Sequence, residues 1–182
     1  MLYRVSALWA RVEIVAAAAL AASVSGLILL NVVTRAMGQA IYWVDEAAIY
    51  AMVWMTFLAA SAALHYRSAI AVTVVQEFLP QQARAAMARF VDLVIFVFAC
   101  LLVWILWRWF MPLELARAGW DVKAFQGATF NFIYAEPTST LGIPKVWVWL
   151  VMVLFTLGAL LHATANLLNP HADPGTPTGE TS

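Results

Sequence analysis

Four stretches of this chain are apolar for long enough to cross a lipid bilayer. The first covers about 12–33, and from Ile14 to Thr34 it carries no charge. Roughly 21 residues at 1.5 Å each make about 31 Å, close to one hydrocarbon core. The others cover about 47–66, 90–110 and 146–168. Asp92 and Arg108 flank the third, where long side chains reach an interface. All seven prolines fall outside the four runs, so continuous helices are expected. Between the second and third runs, the apolar residues of Ser68 to Pro80 alternate with Thr73, Gln76 and Glu77. That piece is too short to span and is expected to be an interfacial amphipathic helix. The longest connection, 111–143, is rich in aromatic residues (Trp120, Phe125, Phe130, Phe132, Tyr134) and is expected to be a packed loop facing a partner or the lipid surface. The Pro/Gly/Thr-rich tail, 169–182, is expected to be disordered.

Composition supports the same class. The 182 residues are 64% hydrophobic and 11% charged, with a mean hydropathy of +0.84. A soluble domain has about a quarter of its residues charged, so a water-soluble enzyme is excluded. Ten basic residues balance ten acidic ones, which leaves no field to recruit nucleic acid. A single cysteine, Cys100, excludes a disulfide scaffold. The reading is an all-α integral membrane bundle of four spanning helices, residues 1–168. The first run continues well past any signal-peptide length and is expected to stay uncleaved. Four spans place both termini on one side. Cationic residues divide five to five between the sides, and Arg4 and Arg11 against Arg35 tip the termini toward the cytoplasm. Trp43, Trp107, Trp109, Trp147 and Trp149 then form an aromatic belt at the outer interface.

Candidate chemistry is sparse. The span midpoints, near Ser23, Thr56, Cys100 and Thr156, are uncharged, whereas a self-sufficient carrier needs polar groups there. Ala18, Ala22 and Gly26, and likewise Ala51, Met55, Ala59 and Ala63, recur at every fourth position, a spacing that lets backbones approach closely. Glu13 is expected in the first helical turn, close to water. Arg35, Trp43, Asp45 and Glu46 share one interface. Asp45 is a candidate N-cap, Arg35 can pair with either acid, and the group is a candidate hinge for docking a neighbouring subunit. His65 and His162 lie toward one membrane face, the minimal requirement for a b-type haem held between two helices. No P-loop, Rossmann, zinc-site or hydrolase-elbow motif occurs, so neither catalysis nor a bound cofactor is expected. Two rivals to a subunit remain open on these residues: a haem-bearing electron carrier, and a homodimeric proton-coupled exporter using Glu13.

Asn31-Val-Val-Thr-Arg35, Trp43-Val-Asp-Glu46, Tyr50-Ala-Met-Val-Trp54, the run from Phe57 to Leu64-His-Tyr-Arg67, and Leu141-Gly-Ile-Pro-Lys-Val-Trp147 follow one another in an order that resembles the small membrane subunit (DctQ type) of tripartite ATP-independent periplasmic (TRAP) transporters. The resemblance covers roughly residues 8 to 168. It implies a bacterial inner-membrane protein with two partners. One is a large membrane subunit that carries substrate and sodium by an elevator-type motion. The other is a periplasmic substrate-binding protein that delivers an organic acid. The small subunit would brace the large one without binding substrate. On this resemblance Arg67 joins Arg35, Trp43, Asp45 and Glu46 as a candidate partner-interface residue. Ala69 and Thr73 stand where relatives often carry a His and an Asp.

Overall fold

A computed structural model describes residues 1–67 and 80–169, apart from the side chains of Gln81, Gln82, Arg84 and Ala85. Among the described residues six helices follow in order: α1 (Leu2–Ala36), α2 (Trp43–His65), α3 (Gln81–Phe110), α4 (Pro112–Arg117), α5 (Val122–Thr129) and α6 (Val146–Leu168). Four of them, α1, α2, α3 and α6, are long and apolar enough to cross a membrane. The expected interfacial helix (68–80) and tail (169–182) fall almost wholly outside the described residues.

Two of the spans start earlier than the apolar pattern predicts. α1 begins at Leu2 rather than near 12, and α3 at Gln81 rather than near 90. Nothing before Gly26 breaks α1, and Arg4, Ser6 and Arg11 all tolerate a helix, so the backbone stays helical where hydrophobicity fades. At 35 residues, α1 is about 52 Å long, well beyond one hydrocarbon core. The extended Pro80 precedes α3 as its N-cap and sets that helix's start.

α1 and α2 form a tight antiparallel hairpin, α6 packs across both, and α3 lies on α6. Ala17, Leu58 and Val151 meet at the centre of the three-helix contact, flanked by Leu20, Trp54 and Met152. The buried line on α1 is Ser6, Ala10, Glu13 and Ala17, and on α2 it is Leu58, Ser61, Ala62 and His65. The expected small-residue faces are each displaced from these lines. Ala18, Ala22, Gly26 and Ala59 are exposed and Ala63 is only half-buried, so close packing inside this chain is made by their neighbours. A Cβ built on Gly26 meets no atom within 4 Å.

The connection from 111 to 143 is folded. Met111 takes a left-handed conformation, which turns the chain out of α3 and lets Pro112 start α4. Asp121 caps α5 by accepting from the backbone N–H groups of Lys123 and Ala124. Phe125 is fully buried and packs with Leu106, Phe110, Leu115 and Ile133 against Trp149 and Leu150 of α6. The Tyr134 hydroxyl donates to the Phe110 carbonyl at 2.6 Å, and burial pushes its phenol up from the ordinary value. This end of the bundle therefore carries a second small core on top of the spans.

Candidate interface and polar joints

Polar side chains gather at three places, two near the ends of the bundle and one in its interior. At the loop end, the α1–α2 turn is tied by Arg35, whose guanidinium reaches Asp45 at 2.5 Å and whose Nε donates to Asn31 Oδ1 at 2.9 Å. Asn31 in turn donates to Asp45. Asp45 is thus a pairing residue in the first turn of α2. The N-cap is Tyr42, without a side-chain cap, contrary to the expected capping role. Arg35 pairs with Asp45 and leaves Glu46 to a different task. Trp43 is exposed beside them.

Glu46 holds the far loop. Its carboxylate accepts from the backbone N–H groups of Ser139 (2.8 Å), Thr140 (2.6 Å) and Leu141 (3.1 Å), from the Thr140 hydroxyl (2.6 Å) and from the Tyr50 hydroxyl (2.7 Å). Successive N–H groups curled round one anion make a backbone nest, a strong use of charge-assisted hydrogen bonds. The turn is reinforced where Lys145 meets Glu136 at 2.6 Å and where Thr138 N–H donates to the Ile143 carbonyl at 2.8 Å. Thus the expected hinge for a neighbouring subunit is occupied, at Glu46, by a loop of the same chain.

Toward the termini, Arg67 pairs with Asp92 at 2.6 Å and donates to the Asn166 carbonyl at 3.2 Å, while the Asn166 amide donates to the Leu64 carbonyl at 2.9 Å. Asp92 is buried; it faces α2 instead of snorkelling to water as its position suggested. Arg67 sits at φ 50° just past α2, which turns its side chain inward across α3 and α6.

The third place overturns the reading of Glu13. The early start of α1 puts Glu13 about three turns into the helix. It is 1% exposed, and one carboxylate oxygen lies 3.0 Å from His162 Nε2. His162 Nδ1 lies 2.7 Å from Ser6 Oγ, which also meets His65 Nδ1 at 2.8 Å. The two histidines do come together, with ring centroids 5.4 Å apart. Yet both His162 nitrogens and one of His65 are engaged within the protein, which leaves His162 none for an iron. Gly158 makes room for this cluster. A Cβ there would overlap Ser61 Oγ and the second Glu13 oxygen, both buried and without a hydrogen-bond partner among the described residues. Ser6 and Ser61 were missed from sequence, and Asp92 was read as an interfacial acid where it is buried. The spacing of Ser6, Ala10, Glu13 and Ala17 was the available signal for the first.

The surface that remains is apolar. Phe90, Val94, Val97, Leu101 and Trp104 form one exposed face of α3, and Ala18, Ala22 and Gly26 an exposed small-residue line on α1. An all-helical bundle with four candidate spans, outward apolar faces and interior polar groups joined to one another is a multi-pass membrane protein. The family described as tripartite ATP-independent periplasmic transporters, DctQ component, matches residues 24–172, most of the sequence. The chain belongs to that family, and is therefore a small membrane component of a TRAP transporter. No curated protein and no solved structure matches it.

Proposed function

We propose that this chain braces the large membrane subunit of a sodium-coupled TRAP importer of organic acids, in a bacterial inner membrane with both termini cytoplasmic, and that it carries no solute itself. The observation that carries the reading is that, among the described residues, each of the four buried ionisable side chains, Glu13, His65, Asp92 and His162, is hydrogen-bonded to another residue of this chain. A carrier keeps such groups available to its cargo. Here they join helix to helix, which suits a rigid support.

The docking surface we assign is the exposed small-residue line Ala18, Ala22 and Gly26 on α1, continued at the loop end by Trp43 and the Arg35–Asp45 pair. Small residues let a partner helix approach closely in lipid, where packing drives association. Ala59 lies on a second exposed strip. Arg67 serves the bundle's own joint with Asp92 and Asn166. To the folded 111–143 connection we assign the contact with the periplasmic binding protein.

The test is uptake into proteoliposomes by this chain alone, by the large subunit alone and by the pair, each with the binding protein and a sodium gradient. Only the pair is expected to accumulate substrate. Uptake by this chain alone overturns the reading.

A further inference from the structure

Three of the groups at the Glu13 cluster are linked in a way that constrains their protons. A serine hydroxyl carries one proton, so Ser6 donates to one histidine and accepts from the other. The two Nδ1 atoms at 2.8 and 2.7 Å are therefore never alike: one bears a proton when the other bears a lone pair. Glu13 is an acceptor as a carboxylate, so His162 Nε2–H donates to it across 3.0 Å. With His162 neutral, its Nδ1 is then the lone pair. Ser6 donates to it and accepts from His65 Nδ1–H. The whole chain runs in one direction, from His65 through Ser6 and His162 to Glu13.

We propose that this chain of side chains is a buried site for a single proton, whose arrival reverses the direction of the two hydrogen bonds at Ser6. The step balances atom by atom. A proton from water binds His65 Nε2. The His65 Nδ1 proton passes to Ser6 Oγ, and the former Ser6 hydroxyl proton passes to His162 Nδ1. His65 ends neutral with its proton on Nε2, Ser6 now donates to His65 and accepts from His162, and His162 is an imidazolium against the Glu13 carboxylate. One proton has entered, and the positive charge has come to rest beside the one buried acid that favours it. No side chain has left its contacts.

The surroundings suit this ligand. His65 closes α2, near the end of the bundle, between the rings of Tyr3 and Tyr66 at 5.1 and 5.0 Å. Ser6 is fully buried, and His162 and Glu13 are 0% and 1% exposed, so nothing larger than a proton passes along the chain. The titratable groups facing the site are Glu13 and Tyr3 from α1, His65 and Tyr66 from α2 and His162 from α6. Beyond them Arg67, after α2, and Asp92 of α3 are paired with each other. The site gathers three helices, and a Glu13 carboxylate beside a neutral His162 is a buried charge without a counter-charge. Proton occupancy therefore sets how firmly α1 is held to α2 and α6. Ser6 and Glu13 precede the segment that matches the family, so the family match does not cover the α1 half of the site.

The test is nitrogen-15 NMR of the histidine side chains in the full chain, in phosphatidylethanolamine/phosphatidylglycerol nanodiscs, with His171→Gln to leave two histidines. Across a pH titration, His162 is expected to become doubly protonated in the same step in which His65 changes from the Nδ1–H to the Nε2–H form. Ser6→Ala is expected to abolish the change of form at His65, and Glu13→Gln to weaken proton binding about tenfold, roughly 1.4 kcal/mol. The wild-type titration alone is decisive if a variant fails to fold. A His65 form that stays fixed through the titration, or histidines that titrate at separate pH values in the wild type, overturns the proposal.

Discussion

At the scale of single residues, two positions hold more than their chemistry suggests. Glu46 accepts five hydrogen bonds, three of them from consecutive backbone N–H groups. These charge-assisted bonds are what hold the far turn, so Glu46→Ala is expected to free the 138–141 turn without disturbing the spans. Hydrogen exchange checks this: the amides of Ser139, Thr140 and Leu141 should lose protection by at least about tenfold, while those of α6 keep theirs. Gly158 is the second position. A side chain there collides with Ser61 and Glu13, and overpacking of a filled interior costs about 1–3 kcal/mol. Gly158→Ala should lower the thermal midpoint in detergent, and adding Ser61→Ala should recover part of the loss, because Ser61 Oγ is the nearest obstacle and has no hydrogen bond to lose among the described residues. These roles were hard to read from sequence for different reasons. Glu46 was legible as an important acid, but apart from Tyr50 its partners lie 93 to 95 residues away and belong to a loop without a pattern. Glu13 was misplaced because the helix start was misplaced: an acid in a first turn meets water, and an acid three turns in does not.

At the scale of elements, the four spans were legible because nothing but length and hydropathy is needed to recognise them. The starts of α1 and α3 were not, because both helices begin in polar stretches whose residues tolerate or favour a helix where hydrophobicity has faded. The packed faces were not legible either. α1 has alanine at positions 16 to 19 and again at 21 and 22, so small residues at every fourth position mark several faces at once. What decides between them is the line of Ser6, Glu13 and their partners on α2 and α6. The joint between α2 and α3 gives an ordered prediction. Asp92 is buried, whereas Arg67 keeps some contact with water. Removing the cation leaves a buried lone acid, and removing the acid leaves a cation that can reach solvent. Arg67→Met should therefore destabilise the bundle more than Asp92→Asn, by about 3 kcal/mol or more for the first. Thermal unfolding of both variants in one detergent gives the ranking, and the reverse order would show that Arg67 matters little to this joint.

At the scale of the whole molecule, the lipid-length helices are apolar outside as well as in their cores, and a few polar groups are buried between them, which sets the bundle apart from a soluble domain. The outward surface has two textures: large residues along α3 and small ones along α1. If α1 receives the large subunit, Ala22→Leu and Gly26→Leu should cut its copurification by about tenfold, equivalent to about 1.4 kcal/mol. The isolated chain should unfold at an unchanged temperature, since Gly26 has open space around it. Equal recovery of the large subunit with both variants would move the interface elsewhere, with the broad face of α3 next in line.

The position of Glu13 also bears on how the protein is made. Its partner His162 follows it by 149 residues. At ordinary rates of synthesis, about 5–20 residues per second, the first helix waits roughly 7–30 s before the last one emerges. During that interval the acid has no imidazole to meet, and an ionised carboxylate in hydrocarbon is expensive. The newborn helix must therefore enter the bilayer with that carboxyl neutral or keep its first turns in water. The insertion of α6 is thus the event that supplies Glu13 with its imidazole, so a contact near the first helix is completed only by a segment 149 residues downstream.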